Sequence, residues 1–364
     1  MGSAATGLRE APRPTSRSGD LSSGNPDPDL LLWRHDRWPT TVAANLLLYG
    51  TPRIVDALLV PAQAYLAGQG VANDHLTALP GGLEAVDRAL ATLLRPGDRV
   101  IVESPTYNGD LPLIAALGLV PVPVPVDEEG LRPEPFDAAL RDAAGVLYRP
   151  RAQNPTGAAL TSGRGNILRA IIERFPSLLV IEEDHAGGIA GADYHSLIPA
   201  GHPRWLHVAS VSKWLAPDLR FALLCGDRES IRRVDQRRLL GGGWISRMTQ
   251  LAVAAHLADP DLAADLARVR DEYGRRRRHV LDLLAERGLR GYGRTGLNVW
   301  IEVPDEAETV SRLARRGWQV APGSRFAAPT PAIRVTVAAL AVAQAQRFAD
   351  DLSSVARGAG RVAD

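Results

Sequence analysis

The chain has 364 residues, 45% of them hydrophobic, and a formal net charge of +1. That is enough for a large buried core with a smaller companion, and the balanced charge leaves no nucleic-acid footprint. The one cysteine, Cys225, excludes a disulfide within the chain and a zinc cluster built on thiolates; in the apolar run 221–224 it reads as a buried, inert thiol.

No two of the eight histidines stand at helical metal-ligand spacing, so no metal is expected. There is no signal-peptide pattern and no apolar run of spanning length, which predicts a soluble, cytoplasmic protein with no membrane contact. The basic run 275–278, after Asp271 and Glu272, reads as a solvated helix face.

Residues 1–20 are rich in Gly, Ser, Pro and Arg without apolar periodicity and read as a disordered lead-in. Residues 21–45, which include the turn cluster Ser23-Gly24-Asn25-Pro26-Asp27-Pro28, are expected to associate with a small C-terminal domain. A helical pattern over 53–69 closes at Gly68 and Gly70. A strand over 75–79 then runs into Pro80-Gly81-Gly82-Leu83 and a helix over 84–94. Strand 99–103, helix 110–118, helix 134–144, strand 145–148, helix 162–174, strand 178–182 and strand 205–209 continue the alternation. Prolines at every second position confine 120–126 to a sheet edge or a loop.

Alternating helices and continuous apolar strands predict an α/β fold, with a large domain over 46–261 built on a mainly parallel sheet between helices. Beyond it come a long helix from 262 through 284, a strand over 297–303, a helix over 306–316 and an alternating, half-buried strand over 332–337. Residues 262–364 are therefore expected to form a smaller α+β C-terminal domain.

Ligands of such sheets bind beyond the carboxyl ends of the strands. Tyr107, Asn154, the acids 182–184 and Lys213 each follow a different predicted strand by a few residues. Desolvation at a strand end lowers an amine's pKa and suits Lys213 to Schiff-base chemistry with a carbonyl. The hydroxyls of Ser210 and Ser212 and the guanidinium of Arg220 suit a phosphate. The glycine pair Gly81-Gly82 opens a helix whose backbone N–H groups can face an anion. A lysine beside a phosphate pocket points to pyridoxal phosphate. Read singly, the same residues also fit a snorkelling lysine, a surface ion pair at Arg220 and a tight turn at the glycines.

Together the motifs carry a resemblance. Tyr49-Gly50-Thr51-Pro52, Gly81-Gly82-Leu83-Glu84, Glu103-Ser104-Pro105-Thr106-Tyr107, Pro150-Arg151-Ala152-Gln153-Asn154-Pro155-Thr156-Gly157, Glu182-Glu183-Asp184-His185-Ala186-Gly187, Ser210-Val211-Ser212-Lys213 with Arg220, Gly296-Leu297-Asn298-Val299-Trp300 and Ile333-Arg334-Val335-Thr336 span residues 20 to 350 or so. They resemble fold-type I pyridoxal-phosphate enzymes of the aspartate aminotransferase superfamily, and among these the aminotransferase-like domain of MocR-type regulators.

The resemblance implies that Lys213 is the catalytic lysine, binding the cofactor and moving the substrate's α-proton. It implies that Asn154 bonds the phenolic oxygen of pyridoxal 5'-phosphate, that Tyr107 stacks on its ring, and that His185 lies against it. Ser210, Ser212, Arg220 and the backbone at Gly82 and Leu83 resemble the phosphate cup. Tyr49 resembles the tyrosine that reaches the partner subunit's phosphate, which implies a homodimer with shared active sites. Arg334 resembles the clamp for a substrate α-carboxylate, with Asn25 as a second substrate-binding residue.

The acid facing the ring nitrogen stays open between Glu183, by register, and Asp184, by residue type; neighbours on a strand point to opposite faces. Gly81 departs from relatives that carry a hydroxyl there. Only about twenty residues precede the matching part, with no winged helix-turn-helix domain among them, so an enzyme that does not bind DNA is expected. The default reaction is transamination of an amino acid or amino-acid-like substrate through an external aldimine, in a specialised biosynthetic pathway. The same apparatus supports elimination or replacement, C–C bond formation, decarboxylation or oxidation. The regulator-like sequence and the acid at 183 also fit a non-catalytic amino-acid-sensing module.

Overall fold

A computed structural model describes residues 19–39 and 52–359, so Tyr49 and most of the predicted lead-in lie outside the described residues. Eight strands make the larger sheet: β1 (Leu76–Leu79), β2 (Arg99–Ser104), β3 (Val120–Asp127), β4 (Gly130–Leu131), β5 (Gly145–Tyr148), β6 (Leu179–Asp184), β7 (Trp205–Ser210) and β8 (Ala222–Gly226). Their order is β1-β8-β7-β6-β5-β2-β3-β4. Strands β3, β2, β5, β6 and β7 run parallel, while β8 is antiparallel to both its neighbours. The expected mainly parallel sheet is what forms, because continuous apolar strands require cover on both faces.

On one face, α2 (Gly82–Leu93) and α6 (Arg228–Arg238) pack their apolar sides on Val100, Leu147, Leu179, Ile181, Val208 and Leu224. On the other face α1 (Asp56–Gly68), α7 (Arg247–Leu257) and α8 (Leu262–Ala285) cover Ala209 and Leu223. There too α4 (Pro133–Ala139) and α5 (Ser162–Ile172) cover Val146 and Val180; α3 (Asp110–Ala116) connects β2 to β3. The proline-rich β3 pairs with β2 over Val120–Pro125 and on its outer side only at Val126 and Asp127. Its prolines recur at every second residue, so the missing donors fall on one side of the strand. No element is expected from the sequence over 228–257, because α6 turns only a few apolar residues such as Ile231 and Val234 inward.

A separate antiparallel sheet has the order β11 (Ala321–Pro322), β12 (Ala332–Thr336), β10 (Asn298–Glu302), β9 (Gly291–Tyr292). It packs with α8, α9 (Glu306–Arg315) and α10 (Val342–Ala359) around Trp318, Phe348, Val299 and Val335. Residues 19–27 run across this unit as a strap: Asp20 bridges Gln319, and Leu21 accepts from Thr336 and enters the core. The strap changes one expectation. Strand β12 is buried throughout instead of half-buried, because its polar residues Arg334 and Thr336 are covered by Ser22 and Gly24.

Among the described residues no helix is long and apolar enough to cross a membrane. Trp318 meets Phe348 edge-to-face at 5.4 Å, and its indole N–H donates to Asp351. Trp318→Ala is therefore expected to cost about 3–5 kcal/mol in denaturant unfolding, and Val60→Ala, on the surface, less than about 0.5 kcal/mol.

Candidate active site

The end of β6 decides where chemistry can happen. Leu179 and Ile181 face the α2 side of the sheet, so Glu183 emerges on that side, while Val180, Glu182 and Asp184 emerge on the other. Each acid then meets its own partners. Glu183 Oε2 accepts from Arg149 Nε at 2.7 Å. Asp184 Oδ2 accepts from Arg151 Nη2 at 2.7 Å and Nε at 3.0 Å, and Asp184 Oδ1 caps the Gly187 N–H. Glu182, also on the far face, accepts from Tyr148, Tyr194, Ser196 and the Leu197 N–H, beside His207.

On the α2 side, a cavity of about 160 Å³ is lined by Gly82, Leu83, Tyr107, Asn154, Glu183, His185, Ser210, Ser212, Lys213 and Arg220, together with Val86, Asp110 and Arg149. The geometry thus separates the two acids: Glu183 lines the cavity, and Asp184 is turned away from it.

Lys213 lies just past β7, and its Nζ donates to the Gly24 carbonyl at 2.7 Å. Burial, then the charge of Arg334, bring its ammonium pKa down to about 8; Glu183 pulls the other way, and Arg220 adds a smaller lowering. Burial would raise the Glu183 carboxyl, but Arg149, helped by His185, brings it down to about 2. His185 Nδ1 is 3.6 Å from Glu183 Oε2, too long for a hydrogen bond, and is buried with no hydrogen-bond partner among the described residues.

At the other end of the cavity α2 begins at Gly82 without a side-chain cap, leaving its first N–H groups free of one. Arg220 reaches this end from a left-handed backbone with φ 45°. Gly81, at φ 96°, makes room for it: a Cβ there would lie 2.5 Å from Arg220 Nη2. The departure noted at Gly81 therefore suits this packing: a side chain there would displace the end of Arg220 and hold a positive φ that favours glycine.

Arg334 borders the site from β12. Its Nη1 donates to Asn154 Oδ1 at 3.0 Å and its Nη2 to the Ser22 carbonyl at 2.5 Å, with Phe326 beneath its guanidinium. Its Nε is buried with no hydrogen-bond partner among the described residues. Asn25 is exposed and does not line the cavity; the backbone of its neighbour Gly24 meets Lys213 instead.

Sequence reasoning missed Arg149 and Asp110. Arg149 is the first residue after the apolar strand β5, the same kind of strand-end position that marks out Lys213, and this signal was available.

Residues 35–352 match the aminotransferase class I and II family. The chain belongs to that family. It is a pyridoxal-phosphate-dependent enzyme of the aminotransferase type. Its relatives include the vitamin B6 salvage pathway transcriptional repressor PtsJ of Salmonella typhimurium, 30% identical over 97% of this chain and 84% of the repressor. The 2-aminoadipate transaminase of Thermus thermophilus is 29% identical over 67% of this chain and 64% of the transaminase. In fold, the kynurenine aminotransferase of Pyrococcus horikoshii superposes with a TM-score of 0.86 at 21% identity, covering 95% of this chain and 92% of that one.

In the cofactor-free protein, acylation of Lys213 followed by peptide mass spectrometry should titrate with a midpoint at about 8. Removing a neighbouring positive charge favours the ammonium, so Arg334→Leu should move that midpoint upward.

Proposed function

We propose that the enzyme transfers the amino group of an α-amino acid, with pyridoxal 5'-phosphate held by the residues of this cavity. One observation carries the reading: a lysine of lowered pKa stands in a cavity with an acid–arginine pair on one side and an uncapped helix start with Arg220 on the other. These match the aldehyde, ring nitrogen and phosphate of the cofactor. When bound, the cofactor supplies an aldehyde carbon for condensation with amines and a ring that accepts an electron pair released at the substrate's α-carbon.

The chain's own residues do the rest. An Nζ with a pKa of about 8 carries a substantial neutral fraction near neutrality, so Lys213 can attack a carbonyl and can take or return a proton. Ser210, Ser212, Arg220 and the N–H groups of Gly82 and Leu83 bind the phosphate. Glu183, ionised and held by Arg149, faces the ring nitrogen. Tyr107 supplies the stacking face, Asn154 the hydrogen bond to the phenolic oxygen, and His185 a further contact.

Arg334, with a bare Nε and an Nη2 resting on a backbone carbonyl, takes the substrate carboxylate in exchange for Ser22. The relatives' names span an aliphatic dicarboxylic and an aromatic amino acid, so the side chain of the substrate stays open. The reading includes a cytoplasmic homodimer: Leu239 and Leu240 are exposed just beyond α6, and Arg220, which lines the cavity, is itself exposed. It also includes a division of the chain near residue 261, between the two sheets.

The regulator PtsJ, similar over most of this chain, favours a second reading, a module that binds amino acids without turnover. The two separate on incubation of the cofactor-loaded protein with an amino-acid panel and a 2-oxo acid acceptor. Formation of new 2-oxo acid supports the enzyme, and spectral change without product across the panel supports the sensor. Borohydride treatment of the loaded protein should leave the pyridoxyl label on Lys213. Lys213→Ala should abolish turnover, and Arg334→Leu should raise KM for the amino acid on the order of a hundredfold, the loss of a charged, two-pronged contact.

A further inference from the structure

Beneath Tyr107 lies a buried charged group that the reaction itself does not use. Arg149 carries 3% of its possible exposure and Asp110 1%. Both terminal nitrogens of Arg149 grip Asp110 as a fork, at 2.8 and 3.0 Å, while its Nε holds Glu183 at 2.7 Å. Glu103 is the other acid nearby, 3.6 Å from Arg149, and burial pushes its carboxyl up to about 8. At neutral pH the group is therefore one cation between two anions, with a largely neutral Glu103 behind.

The arrangement does more than tie β5 to α3. With Oε2 taken by Arg149, Glu183 Oε1 is left towards Gly82 at the cavity wall. A carboxylate backed by a guanidinium resists protonation, but a simple pair would present no net charge. Asp110 on the far side of Arg149 restores one negative charge. Asp110 also accepts from Thr106, and the Arg149 guanidinium lies 5.5 Å from the centre of the Tyr107 ring, so one arginine supports both the acid and the loop that carries the stacking residue.

We infer that Arg149 and Asp110 are positioning residues for the cofactor's ring: Arg149 holds Glu183 as an anion with one oxygen free, and Asp110 supplies the counter-charge that keeps Arg149 from cancelling it. This rests on the reading that Glu183 faces the ring nitrogen. It divides the work between two residues. Without Arg149, burial raises the Glu183 carboxyl, and the anion is lost as pH falls. Without the charge of Asp110, the group presents no net negative charge, and a protonated ring nitrogen is less favoured.

The test uses pyridoxal 5'-phosphate labelled with 15N in the ring, bound to wild type, Asp110→Asn, Arg149→Met, Arg149→Lys and Glu183→Gln across pH 5–9, reading the 15N shift and the dissociation constant. The midpoint for ring-nitrogen protonation should fall by about one pH unit in Asp110→Asn, a tenfold change in that equilibrium. In Arg149→Met the dissociation constant relative to wild type should climb as pH falls, by up to about tenfold per unit, as expected for one carboxyl taking up a proton. Arg149→Lys should return that ratio towards a constant value.

A midpoint in Asp110→Asn equal to wild type, or a ratio for Arg149→Met that is the same at every pH, overturns the inference: the pair would then be a structural tie alone. Should Arg149→Met fail to fold, the near-isosteric Asp110→Asn still decides. Glu183→Gln separates the two claims. If its 15N profile matches wild type, the reading of Glu183 as ring partner fails; if it shifts while Asp110→Asn does not, only the present inference fails.

Discussion

The ion pair between Arg149 and Glu183 joins the end of one strand to the end of its neighbour inside the sheet's apolar cover, where each charge costs several kcal/mol to remove from water. Breaking such a pair is far more damaging than never having built it, because the remaining charge stays buried alone. The neighbouring acid repeats the device on the opposite face, where Asp184 meets Arg151. Two arginines two residues apart thus take two adjacent acids, one on each side of the sheet. Arg151 also borders a cavity on its own side, but among the described residues only the α2 side joins a cavity to a lysine and an uncapped helix start, so this pairing places Glu183 rather than Asp184 beside them.

Around that fixed acid the site is held under electrostatic tension. Lys213 stands near Arg220 and Arg334, and these charges together with burial make its ammonium easier to deprotonate. Two backbone carbonyls of the strap temper this: Gly24 accepts from Lys213 and Ser22 from Arg334. Neutral carbonyls satisfy cations without cancelling them, so a better partner for either group can replace them. The strap is itself anchored on the smaller sheet at Gln319 and Thr336, which ties the second structural unit to the chemistry of the first.

Much of this was legible in the sequence, for physical reasons that differ from residue to residue. Strands such as 145–148 and 205–209 are short, apolar and followed by polar residues, so Tyr107, Asn154, the acids 182–184 and Lys213 could be assigned to one edge of a parallel sheet. The choice between Glu183 and Asp184 could not be made, because it depends on which helices cover which face. Arg149 escaped notice because its partners Asp110 and Glu183 lie 39 and 34 positions away, and a pairing over such distances leaves no local pattern. Asn25 is exposed, and the contact with Lys213 belongs to the backbone carbonyl of its neighbour Gly24, which residue type does not report. What Gly81 makes room for is not legible in the sequence either, because Arg220, which occupies the space a side chain would need, lies far along the chain.

The most direct measurement is a crystal structure of the protein grown with pyridoxal 5'-phosphate. The account predicts density continuous from Lys213 Nζ, a phosphate at the start of α2 against Arg220, and the ring nitrogen facing Glu183. A cofactor bound away from Lys213, or a ring nitrogen contacting an acid other than Glu183, would contradict it.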